Sequence, residues 1–321
     1  MEGTERELFA RSLRHALESG RGGDVLDGSL DGLGWHEALV EDPRTAVSVL
    51  FELQGAAGAH SSALPAVLGY GLGMAPPATA GLVLPRPGHA GPPGTVDRGR
   101  LTVHGLAGTV REREGTVVVV AGTGDGDAVA DVSVDDLDLR KIDGLAPHLG
   151  LVEVVGTDVP YTVWDELPDG RWERGVALAR LAVGHQLVGT SRRMLELARR
   201  HALERIQFDR PIGSFQAVRH RLADALIAIE GADAALQSAW DDGSIESAAV
   251  AKALAGRGAR TTARHCQQVL AGIGFTTEHP FHCSLRDTLV LDQLFGTANS
   301  LTREFGRRLL ATRQLPPLPP L

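Results

Sequence analysis

The stretch "RIQFDRPIGSFQ", residues 205–216, gathers an arginine, two glutamines and two phenylalanines around a break at Asp209-Arg210-Pro211. Helical periodicity runs up to Arg205 and resumes beyond the break. Arg205 is therefore expected in the last turn of a helix, where the macrodipole favours a cation. A guanidinium in that place can fork onto a diphosphate. Phe208 and Phe215 straddle the turn, and on spacing alone they serve equally well as a cap on a helical core. A second stretch, "QQVLAGIGFTTEHPFHCSLRD" at 267–287, sets Gly272 and Gly274 at a helix end. Glycine there either lets a ligand approach the backbone closely or simply ends the helix.

Other candidates carry less. His265, His279 and His282 with Cys266 and Cys283 fit no compact zinc spacing, and no second Cys-x-x-Cys pair exists, so a metal site is not expected. The glycine-rich "AGTGDGDA" at 121–128 lacks the lysine and following helix of a phosphate loop and reads as a hairpin turn. No Gly-x-Ser-x-Gly elbow or other nucleophile–base arrangement is present.

Three regions must position these residues. Residues 4–72 read as helical: Leu8, Phe9, Leu13 and Leu17 share a face, and "RTAVSVLFELQGAAG" repeats the periodicity. Glycine-rich "ESGRGGDVLDGSLDGLG" reads as the loop between them, and a third short helix is expected to break at Pro65 or just before it. From about residue 78, short Val-rich runs such as "RLTVHGLAGTV", "GTVVVVAG" and "LVEVVGTDV" read as antiparallel strands. From about residue 172 helical periodicity returns, over 173–203, 214–240, 244–271, 284–293 and 297–312. The fold class is α+β multi-domain, mainly α. A helical domain (1–77) precedes a central antiparallel β-barrel or sandwich (78–168). A C-terminal up-and-down four-helix bundle (169–312) and a Pro-rich tail (313–321) follow.

Composition sets limits on partners. The 321 residues are 43% hydrophobic and 22% charged, ordinary for a globular chain with a large core. A net charge of −8 argues against nucleic acid, though not against a phosphorylated ligand at a local arginine cluster. No apolar run approaches the length of a membrane span. The N-terminus lacks an unbroken apolar segment of the signal-peptide kind, and the two cysteines suit reduced thiols, so a cytoplasmic location is expected.

At the two opening stretches the sequence resembles the acyl-CoA dehydrogenase family of flavoproteins. The family's corner reads Arg-x-Gln-Phe-Gly-x-Pro-Ile followed by Phe-Gln; here Asp209 replaces the glycine. The family's Gln-x-x-Gly-Gly-x-Gly-Phe appears as "QVLAGIGF", with Ala271 replacing the first glycine. "RD" at 286–287 and "FGT" at 295–297 fall at the family's spacing, and the helix–strand–helix order agrees. The resemblance is strong over about 170–310 and weak in the shortened N-terminal region.

The resemblance implies FAD shared between two subunits. Arg205 would hold the pyrophosphate of an FAD in the neighbouring subunit; Gln207, Phe208, Phe215 and Gln216 would line it; Gln268 and Gly272 would meet its adenosine end. Thr297 matches a threonine beside the flavin. Two departures matter. The glutamate that removes the substrate's α-proton in most members is Phe295 here, and the alternative base position on the first bundle helix is Ala179. Neither can accept a proton, and Glu173 is only a weak substitute. The strand that carries Thr-Glu-Pro-x-x-Gly-Ser against the flavin ring reads "LVLPRPGHAGPPG".

These departures imply the base-lacking subunit of a hetero-oligomeric acyl-CoA dehydrogenase, similar to α2β2 assemblies of actinobacterial steroid side-chain breakdown. A partner subunit would carry the base, and electron-transfer flavoprotein would accept the electrons. The shortened N-terminal region would leave the pocket open to a bulky, steroid-derived acyl-CoA. Two alternatives stay open: a non-catalytic scaffold or binding subunit, and a flavin monooxygenase or oxidase on the same fold.

Overall fold

The computed structural model describes residues 3–19, 22–74, 81–108 and 115–314. Five helices open the chain: α1 (Gly3–Ser19), α2 (Asp24–Gly32), α3 (Trp35–Glu41), α4 (Pro43–Ala57) and α5 (Ala63–Leu72). They enclose a core of Leu13, Leu17, Leu26, Leu30, Trp35 and Phe51. Two expectations need correction here. The glycine-rich "loop" contains α2, because Leu26 and Leu30 sit one turn apart and both reach that core, while Asp24 and Asp27 favour its N-terminus. Pro65 does not break α5; it lies in the first turn, where a helix leaves its N–H groups unbonded anyway.

The middle region forms strands β1 (Leu84–Pro85), β2 (Gly94–Asp97), β3 (Arg100–Ala107), β4 (Thr116–Gly122), β5 (Asp127–Ser133), β6 (Asp138–Lys141), β7 (Val152–Val159) and β8 (Thr162–Leu167). They join in one sheet in the order β6-β7-β3-β2-β4-β5-β8, with β1 also on β3. The pairs are antiparallel except β2–β4, which run parallel, Gly94 facing Ala121. The sheet is thus mainly antiparallel, as expected, with this one parallel pair as the exception. The valine run of β4 is buried on both faces. Val117 and Val119 enter a core made by the sheet's own residues, which means the sheet curves over itself, whereas Val118 and Val120 join the core shared with the helices.

The C-terminal helices are α6 (Arg171–Glu204), α7 (Gln216–Asp242), α8 (Ile245–Leu270), α9 (Phe281–Gln293) and α10 (Ala298–Thr312). A two-strand hairpin, β9 (Ile206–Gln207) and β10 (Arg210–Pro211), joins α6 to α7. The 34-residue α6 is the spine, packed on α4 and α5 at one side and α7, α8 and α9 at the other. Its approach to α4 is so close that a Cβ on Gly189 would stand 2.0 Å from the Glu52 carbonyl oxygen. A half-buried polar knot ties the same crossing to α7. Arg192 bonds to Glu52 and, at 3.2 Å, to Asp233, while the Trp240 indole N–H donates to His185 Nε2 at 3.0 Å. No helix among the described residues is long and apolar enough to cross a membrane. Of the tail expected at 313–321, only Arg313 and Gln314 lie among the described residues.

Candidate functional site

The predicted site residues fall into two groups. The first occupies one end of the bundle. Arg205 lies just past α6 with extended backbone rather than in its last turn; its N–H donates to the His201 carbonyl and its own carbonyl accepts from Ile212 N. Phe208 and Asp209 form the hairpin's two-residue turn, with φ of 51° and 60°. Two successive left-handed residues make a primed hairpin turn, which explains why glycine suits the second position and why aspartate, tolerant of that region, can replace it. Phe208 is 85% exposed, its ring set edge-on to Phe215 at 6.0 Å, and the Arg210 guanidinium stacks on Phe215 at 4.3 Å.

The Arg205 side chain has no hydrogen-bond or ion-pair partner among the described residues. Gln207 donates to the Ile206 carbonyl, and the Gln216 amide meets His220. Gln268 and Gly272 are exposed at the end of α8, tied to the hairpin by one apolar cluster that includes Ala202, Ile212, Leu222, Leu270 and Ile273. Ala271, where the helix turns, has φ 52° and ψ −135°. Phe275, 74% exposed, stands beside them. His201 and His279 face one another here near Arg200 and Arg205, and burial with this positive surrounding lowers both their pKa values.

The second group lies at the other end of α9, about 20 Å away along the helix. Phe295 (φ 55°) and Gly296 (φ 96°) form the corner between α9 and α10, and the Thr297 hydroxyl accepts from Ser300 N at 3.0 Å to cap α10. The Phe295 ring is buried in the apolar cluster that also holds Ala179, Val176, Leu291 and Leu294. Both family base positions therefore lie in one apolar core. Glu173, six residues before Ala179, is turned about 240° around α6. It lines a small surface pocket with Asp127 and the β4–β5 turn, where it raises the Asp127 pKa together with burial.

The segment after β1 closes over this corner. Gly88 N–H donates to the Gln293 carbonyl at 2.8 Å, and the Trp172 indole donates to the Ala90 carbonyl at 2.9 Å. The segment departs from the family pattern, and no local motif marks its bonds to Gln293 and Trp172.

Two further features escaped it. A cleft of about 570 Å³ opens between α2, α3 and α5 and strands β3 and β4, with Asp24, Asp27, Asp31, His36 and His60 on its walls. Burial raises the Asp27 pKa and lowers that of His60, while the hydrogen bond that His148 donates to Asp287 raises that of His148, whose ring stands 6.3 Å from His60. These residues come from separate stretches and form no linear motif. The other feature is the trio Glu52, His185 and Asp233, close enough to suggest a metal. Arg192 already neutralises both carboxylates, and the Trp240 donor fixes the imidazole proton on Nδ1, leaving neither ring nitrogen free to ligate.

Residues 172–310 match the family description "Acyl-CoA dehydrogenase, C-terminal domain". The chain is 36% identical over 165 residues to acyl-CoA dehydrogenase FadE34 of Mycobacterium tuberculosis, covering 49% of this chain and 23% of FadE34. It is 35% identical over 133 residues to acyl-CoA dehydrogenase IpdE2 of the same organism, covering 41% and 40%. The chain thus matches less than half the length of these curated relatives. Among solved structures, a variant of the Tcur3481-Tcur3483 steroid ACAD superposes with a TM-score of 0.81 at 20% identity, over 97% of this chain and 99% of that one. The ChsE4-ChsE5 complex from Mycobacterium tuberculosis gives 0.79 at 22%, over 99% of each chain. Residues 172–310 thus match an acyl-CoA dehydrogenase C-terminal domain, and the chain shares the fold of the solved structures on which it superposes.

Proposed function

We propose that this chain is the base-lacking subunit of a hetero-oligomeric FAD-dependent acyl-CoA dehydrogenase acting on a bulky, steroid-derived acyl-CoA. The observation that carries the reading is a contrast within one molecule. Both base positions, Phe295 and Ala179, are apolar and buried in a common core, while the Arg205 guanidinium has no hydrogen-bond or ion-pair partner among the described residues.

The bundle end suits FAD by its donor set. An unpaired guanidinium answers a pyrophosphate, Phe208 offers an apolar face beside it, and exposed Gln268 with Gly272, whose Cβ direction is open, leaves room for the adenosine end. Arg205, Gln207, Phe208, Phe215, Gln216, Gln268 and Gly272 would hold the nucleotide part of an FAD whose ring lies in the neighbouring subunit. The flavin-ring side of this chain is less suited, because the 86–93 segment is bonded to Gln293 and Trp172.

When bound, FAD supplies the acceptor for the hydride that leaves Cβ as an acyl-CoA becomes an enoyl-CoA. The α-proton needs a carboxylate within hydrogen-bond reach, and this chain's part is to bind and orient the cofactor while the partner subunit contributes that base. Electron-transfer flavoprotein is the proposed acceptor of the electrons. The likeness in fold to the ChsE4-ChsE5 complex and to the Tcur3481-Tcur3483 steroid ACAD supports both the pairing and the substrate class.

The test is to produce the chain alone and together with the product of a neighbouring gene. The expected outcome is a colourless, inactive single chain and a yellow, active pair whose second subunit carries an acid at one of the two base positions. A yellow and active homo-oligomer from this gene alone would sink the proposal.

A further inference from the structure

Three separate parts of the chain meet at one polar junction that the proposed chemistry does not use. Asp287 of α9 is 4% exposed, and its carboxylate lies 2.7 Å from His148 Nε2. His148 sits on a single helical turn, Pro147–Leu149, between β6 and β7. Its ring meets that of His60 edge-on, with centroids 6.3 Å apart. His60 lies between α4 and α5, fixed by a backbone bridge to Gly22, where a Cβ would stand 2.2 Å from the ring. A carboxylate of the bundle, an imidazole of the middle region and an imidazole of the N-terminal helices therefore stand in a row.

The charges around this row push the two imidazoles in opposite directions. The hydrogen bond to Asp287 raises the His148 pKa, against burial and Arg193 of α6. Burial and His148 lower that of His60, against Asp27 of α2 and Asp287. Asp287 has no other ion pair among the described residues. A neutral His148 would thus leave a nearly buried carboxylate with an uncharged donor, a weaker arrangement. A protonated His60 would set a second cation beside His148, and like charges at that spacing repel. One proton shared out to His148, with His60 neutral, satisfies every group. A raised pKa favours the closed junction below the ordinary 6.5 and stops doing so as pH climbs through the raised value. A lowered one favours it above 6.5 and stops doing so as pH falls through the lowered value. The junction is therefore tightest near pH 6.5 and weakens on both sides.

We propose that Asp287, His148 and His60 form a proton-controlled clasp between the bundle, the middle region and the N-terminal helices, loosened by the gain or the loss of one proton. His60 and Leu149, the neighbour of His148, both line the cleft of about 570 Å³. The clasp thus ties the helical wall of that cleft to the wall made by the middle region, and its loosening widens access to the space between them.

The experiment follows amide hydrogen exchange around His60 and His148 in the full-length chain from about pH 5 to about pH 9, expressed as protection relative to the unfolded chain. Wild-type protection is expected to peak near pH 6.5 and to fall roughly fivefold on each side. His60→Gln should lose the acid fall alone. His148→Gln, which keeps an uncharged donor but neither proton-dependent partner, should flatten the profile on both sides. A flat wild-type profile overturns the proposal. So does an acid fall left unchanged by His60→Gln, which would belong to another group such as His185, or an alkaline fall left unchanged by His148→Gln. If a variant fails to fold, histidine NMR titration of the wild type decides: His148 is expected to titrate above 6.5 and His60 below it, and coincident or reversed midpoints overturn the clasp.

Discussion

Replacing the Arg205 side chain breaks no hydrogen bond or ion pair among the described residues, which separates binding from stability at a single position. Charge-assisted bonds to a phosphate are worth roughly 1.5–3 kcal/mol. Arg205→Gln is therefore expected to weaken FAD in the complex by about 10- to 100-fold while Tm moves by less than about 2 °C; equilibrium dialysis and a thermal melt measure the two. The residue was legible in the sequence because its signature is local: the turn, its aromatic neighbours and the arginine lie within a dozen positions. Lys252, Arg180 and Asp292 were not legible. On a helix, charged residues at such positions ordinarily face water, and only the packing of α6, α8 and α9 shows that these do not.

At the scale of elements, the five C-terminal helices were readable to within a few residues, with the largest gap at the start of α9, because each carries a sustained apolar stripe. The shorter pieces were harder. β2, β6 and β8 are brief and rich in charged or polar residues, so no alternation marks them, and β8 pairs not with its neighbour in sequence but with the distant β5. In α2, two leucines outweigh the glycines only because a core is waiting for them. The end of α8 offers a direct test. Ala271 occupies a region of backbone space that glycine tolerates and alanine does not, a strain of about 1–3 kcal/mol. Glycine's own entropy cost offsets about 0.5–1 kcal/mol of that. Ala271→Gly should thus raise stability by about 1 kcal/mol, read as a higher urea midpoint at unchanged m-value.

For the molecule as a whole, acid should loosen the seam between the N-terminal helices and the bundle. His185 is sealed at that seam, and burial lowers its pKa to about 4 from 6.5. In the unfolded chain it protonates near the ordinary value, so the native state's advantage is full above pH 6.5 and disappears as pH falls towards 4. The size is about 3 kcal/mol. Urea unfolding at pH 7 and pH 4.5 should show that loss, and His185→Gln, which has no such proton to exclude, should lose correspondingly less. The segment that covers the α9–α10 corner has a consequence of a different kind. Gly88 and Ala90 are fastened through main-chain atoms. Side-chain drift around them can therefore accumulate without opening this face, except at Gly88 itself, whose φ of 80° disfavours any side chain.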